Sequence, residues 1–146
     1  MTFASVAESE AVCDDAILTL RMPPMHELHP IEKAIVAHAR WKSHLGHVID
    51  SGECDQTVDD FRADDRCEFG RWLREQPADE KTSEHFRTVS ELHARFHGEA
   101  AHVLELALAK RADQATAAMA IGSPFASVSA RLTSAMVAWK LALGGE

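Results

Sequence analysis

The sequence predicts an all-α fold: an antiparallel four-helix bundle with an additional short helix that carries a cysteine. Three observations lead there. Apolar residues recur at three- and four-residue spacing through three long segments, the period of one helix face. The signals of strands, sustained alternation and Asn-Gly turns, are nearly absent. Proline, serine and glycine fall at the edges of the periodic segments, where helices begin and end.

Residues 1–29 read as a separate tail. Pro23-Pro24 and Pro30 interrupt any helix there, although residues 11–20 can form a short one. The bundle domain is placed at residues 30–143. Its first helix starts with Pro30 in the opening turn and shows Ile31, Ala34, Ile35, His38, Trp41, Leu45, Val48 and Ile49 on one face; Ser51-Gly52 ends it. An acidic stretch with Glu53, Asp55, Asp59, Asp60, Asp64 and Asp65 follows and reads as a loop with a helical turn around Phe61. The segment from Cys67 to Leu73, closed by Pro77, reads as the short helix, with Asp64 or Asp65 as its cap. Thr82 or Ser83 can cap the second long helix, whose stripe is Phe86, Val89, His93, Phe96, His97, Ala100, Leu104 and Leu108. A short helical segment is expected over residues 114–119. Beyond Gly122, Ser123-Pro124 opens the last helix, with Phe125, Val128, Leu132, Met136 and Trp139 on its apolar face.

Composition narrows the function. A formal net charge of −8 argues against nucleic acid as a partner, since phosphate binding needs a basic face. No run of eighteen apolar residues is present, so no membrane span is expected. The N-terminus lacks the basic start and apolar stretch of a secretory signal, which makes a cytoplasmic location the default expectation. Cys13, Cys54 and Cys67 are odd in number and far apart, a pattern that suits thiol or metal chemistry better than a disulfide scaffold.

The placement of histidines carries the chemistry. His93 and His97 are four apart, which stacks both imidazoles on one helix face within reach of one ion. Both lie inside an apolar stripe, where an unsatisfied polar group costs about 1–3 kcal/mol. His38 occupies the centre of the first stripe, while His44, His47, His85 and His102 fall away from these faces or too far along them. Cys67 is the fourth candidate. Zinc takes imidazole nitrogen and thiolate sulfur in a tetrahedron. His38, Cys67, His93 and His97 would fill it and leave no position for an activated water.

The segments Ala37-His38-Ala39-Arg40-Trp41, Cys67-Glu68-Phe69-Gly70-Arg71-Trp72 and His93-Ala94-Arg95-Phe96-His97 resemble the chemoreceptor zinc-binding (CZB) domain family. Its pattern is a histidine closely followed by an aromatic residue, then Cys-x-hydrophobic-Gly-x-aromatic, then His-x-x-x-His. The resemblance runs over about residues 31–108 and more loosely through the last helix. It implies a dimerising helical bundle with zinc held by His38, Cys67, His93 and His97. Members usually accompany bacterial chemoreceptors or diguanylate cyclases and sense zinc or oxidants such as hypochlorite. Neither a methyl-accepting coiled coil nor a cyclase domain occurs in these 146 residues, so the chain reads as a standalone single-domain member.

The expected function is therefore zinc-dependent signalling without enzymatic activity, as a homodimer or through a separate chemoreceptor or cyclase. Two other classes compete. One is an interaction module in which zinc only holds the fold, with the acidic stretch as a docking surface. The other is a metal hydrolase or a di-iron or haem bundle, for which the usual Glu-x-x-His motifs are missing from the inward faces.

Overall fold

The computed structural model describes residues 28–144, and every described element is helical. The expected short helix at residues 11–20 and most of the tail lie outside the described residues. In chain order the helices are α1 (Pro30–Ser51), α2 (Val58–Arg62), α3 (Glu68–Arg74), α4 (Ala78–Lys81), α5 (Glu84–Leu108), α6 (Ala112–Met119) and α7 (Pro124–Gly144).

Local chemistry sets the ends. The His29 ring accepts from the Ile31 amide at 3.0 Å, and the Glu32 carboxylate accepts from the His29 amide at 3.0 Å. This reciprocal pair closes the first turn of α1 with His29 as its N-cap. Gly52 stops α1 with φ 76°, a left-handed conformation that suits glycine. The acidic stretch contains α2, capped by Thr57 and Asp60 through each other's amides at 3.0 and 3.1 Å. Ser83 caps α5 by accepting from the Phe86 amide at 3.1 Å. Ser123 does the same for α7 through the Ala126 amide at 3.1 Å. Because Ser83 also donates to Glu80 at 3.2 Å, Ser83→Ala is expected to cost about 1 kcal/mol, measurable as a lower urea midpoint.

The three long helices form the bundle, with eight-residue α6 as the short fourth member. Their directions refine the antiparallel expectation. Near their starts α1 and α5 meet at His38 and His93, with ring centroids 5.1 Å apart. Beyond their ends Lys110 donates to the Gly52 carbonyl at 3.0 Å. These two helices are therefore parallel. The crossover carrying α2, α3 and α4 returns the chain to the start of the bundle and makes this possible. Helix α7 runs antiparallel to both: Phe125 packs on Phe96, Trp139 on Phe86, and Lys140 lies 3.7 Å from Glu32.

Helix α5 sits at the centre. Its buried set is wider than the single expected stripe and adds Leu92, Ala101, Val103 and Ala107, because α1, α2, α6 and α7 all pack on it. On α7 the buried residues are the five expected ones. No helix among the described residues is long and apolar enough to cross a membrane.

Candidate metal centre

Four side chains from three elements converge at one end of the bundle. The donor atoms of His38, Cys67, His93 and His97 all lie within 4.8 Å of one another. His93 is the hub: its Nε2 stands 3.1 Å from His97 Nε2 and 3.3 Å from Cys67 Sγ. A tetrahedral zinc with bonds of about 2.0–2.1 Å to nitrogen and 2.3 Å to sulfur implies donor separations of roughly 3.3–3.6 Å. The two His93 distances lie close to that range, and the remaining donor pairs lie within 4.8 Å.

Backbone carbonyls orient two of the imidazoles. His38 Nδ1 donates to the Ala34 carbonyl at 2.7 Å and His97 Nδ1 to the Phe61 carbonyl at 2.8 Å. A carbonyl can only accept, so in both rings the proton resides on Nδ1 and the Nε2 lone pair faces the cluster. This is the outer-shell arrangement that fixes metal-binding histidines. Neither carbonyl has a sequence signal, because any residue supplies one. A proton between His93 and His97 would satisfy that pair alone; a cation satisfies all four donors together.

Cys67 arrives by a different route. It is the N-cap of α3, and its Sγ accepts from the Gly70 amide at 3.3 Å. The expected cap, Asp64 or Asp65, is displaced by the thiol itself. Asp64 instead presents its carbonyl to Gly70 so closely that a Cβ there would stand 1.8 Å from the oxygen. Phe69 and Trp72, stacked at 5.6 Å, bury the inner side of the short helix. Trp41 packs edge-on against His97 at 4.9 Å and on Phe61 at 4.6 Å, which screens the cluster from solvent.

Burial sets the protonation. Desolvation pushes His38 down to about 4. Desolvation, then the neighbouring His97 and His38, pushes His93 down to about 2. His97 is also lowered by burial, opposed by the Phe61 carbonyl and by the negative charge of Asp64 and Asp65. Burial raises the Cys67 thiol, against the hydrogen bond from Gly70. The imidazoles are thus neutral and ready to ligate at neutral pH, and the thiol must lose a proton on metal binding.

A stability profile follows for the metal-free protein. The unfolded chain takes up protons at its histidines below their ordinary value of 6.5, while the folded chain resists. Stability is therefore present above pH 6.5 and is lost below it, by about 1 kcal/mol for each of His38 and His93 between pH 6.5 and 5.5. The raised thiol acts at the other end: above its ordinary 9.0, the unfolded chain ionises first and stability falls again. Melting temperatures in chelator should plateau between these limits. A flat profile down to pH 5 would contradict the buried neutral imidazoles.

Among the described residues, His44, His47, His85 and His102 are exposed and stay outside the cluster. One contact was not expected. Cys54 Sγ stands 3.7 Å from His44 Nε2, but only one group of three or more potential ligands occurs among the described residues. Cys13 lies outside the described residues.

The sequence pattern of the family described as chemoreceptor zinc-binding domain matches residues 38–104. The match opens on His38 and spans Cys67, His93 and His97. Residues 38–104, a little under half of the chain, carry the pattern of a chemoreceptor zinc-binding domain. No curated protein and no solved structure matches the chain. The matched segment comprises most of α1, the crossover and nearly all of α5, the elements that build the cluster; α6 and α7 lie beyond it.

Proposed function

We propose that this chain is a zinc sensor or redox-sensitive signalling module, with one zinc held by His38, Cys67, His93 and His97. The observation that carries the reading is the unequal attachment of the four donors. The three histidines are buried on the long helices α1 and α5, whereas Cys67 is half-buried at the start of seven-residue α3. Three neutral imidazoles and a thiolate close a tetrahedral shell, which favours binding or sensing over catalysis by an activated water. When bound, zinc supplies a divalent charge that stabilises the thiolate and ties α3 to the bundle.

Cys67 is the donor open to change. A two-electron oxidant such as hypochlorite converts its thiolate to the sulfenate and weakens its hold on zinc. The histidines keep their grip while α3 loses its anchor. The helix then has two states that differ by one bond, the kind of element a switch needs. By family resemblance the output reaches a chemoreceptor or a diguanylate cyclase, and the working unit is a homodimer.

The test combines elemental analysis with hydrogen exchange. One zinc per chain is expected, with exchange protection of residues 67–74 that depends on zinc and on Cys67. Cys67→Ser with undiminished zinc affinity and unchanged protection ends the switch reading. Zinc that stays bound at every physiological zinc level and resists oxidants assigns the ion a purely structural role.

A further inference from the structure

Between α1 and α3 lies a cavity of about 130 Å³. Trp41, Phe69 and Trp72 supply aromatic walls, Ala34 the buried aliphatic floor and Ala37 the lip. An apolar cavity of roughly 150 Å³ holds one benzene ring, so a single six-membered ring matches the space. A peptide segment or a fused polycycle does not. Aromatic walls favour an aromatic occupant in stacked or edge-on contact. Lys33 and Glu68, one cationic and one anionic, are the charged members of the lining. They can hydrogen-bond a hydroxyl without selecting for net charge, and burying an ionised ligand among these rings would be costly.

We propose that this cavity is a binding site for a neutral single-ring aromatic molecule of the phenol class. Its place gives the occupant a voice in metal binding. Of the four donors only His38 and Cys67 line the cavity; His93 and His97, each 1% exposed, stand behind them. A ring seated there touches the attachment of α3 to α1. Occupancy and zinc affinity are then coupled, and the coupling is reciprocal by thermodynamic necessity. The binding site itself is independent of any metal; the coupling rests on the zinc reading given above.

Phenol titrated into the full-length chain, zinc-loaded and chelator-treated, tests both parts through tryptophan fluorescence and saturation-transfer NMR. Saturable binding at one site is expected. Ala37 is exposed at the lip, so its variants should fold: Ala37→Leu should weaken phenol at least tenfold, and Ala37→Phe should abolish binding, with zinc stoichiometry unchanged. A linear, unsaturable response, or equal affinity in all three proteins, overturns the site. Equal phenol affinity with and without zinc overturns the coupling alone. A wild-type chain that binds phenol but no zinc overturns the proposed function and leaves the cavity site standing.

Discussion

His93→Leu is expected to weaken zinc binding by about a hundredfold or more while costing the metal-free fold about 1–3 kcal/mol. The first half follows from its position at the hub, in contact with both His97 and Cys67. Structural zinc contributes apparent energies of about 10–16 kcal/mol over four ligands, so losing one costs about 3–4 kcal/mol or more, and about 1.4 kcal/mol is tenfold in affinity. The second half follows from burial. His93 is 1% exposed and its protonation is strongly suppressed, so an apolar side chain of similar size relieves desolvation as it removes a hydrogen bond. The change leaves the buried His97 Nε2 without its partner, and one buried acceptor left unpaired costs about 1–3 kcal/mol. Competitive zinc titration and urea unfolding in chelator read the two halves separately. A large loss of metal-free stability with intact zinc affinity would make His93 a packing residue.

Gly70→Ala should be the most damaging conservative change in the domain, at about 2–4 kcal/mol. The new Cβ meets backbone rather than a yielding side chain: it would lie 1.8 Å from the Asp64 oxygen and 2.9 Å from its carbon. The 64–65 turn or α3 must move, and the Gly70 amide that holds Cys67 Sγ moves with it. Zinc affinity should fall together with stability. Gly46→Ala is the control with the opposite sign. Nothing lies within 4 Å of a Cβ there, the position is inside α1, and alanine in a helix interior gains about 0.5–1 kcal/mol over glycine. Equal midpoints for Gly70→Ala and wild type would show that the turn yields freely.

Much of the candidate site was legible in the chain. The i, i+4 spacing of His93 and His97 inside an apolar stripe, and the central place of His38 in another, turned three imidazoles inward before any fold was known. The stripe on α7 was complete, because that helix presents one face to the bundle. The stripe on α5 was too narrow: a helix packed from several sides buries residues that a single-face pattern treats as exposed, among them Leu92 and Val103. Asp64 and Asp65 offered themselves as caps by residue type. The thiol took that role because the Gly70 contact brings the Asp64 backbone, not its side chain, against α3.

Periodicity and residue type determined by themselves that this protein is a helical bundle, which faces are apolar, and which four side chains could share a cation. Those properties are local: they depend on spacing along one helix and on the chemistry of each donor. Only the tertiary structure decided that α1 and α5 run parallel, that carbonyls of Ala34 and Phe61 set the imidazole tautomers, and that Cys67 is both helix cap and donor. Those features depend on where the crossover returns the chain. Backbone groups, identical at every residue, take their roles from position in space and leave no mark in the sequence.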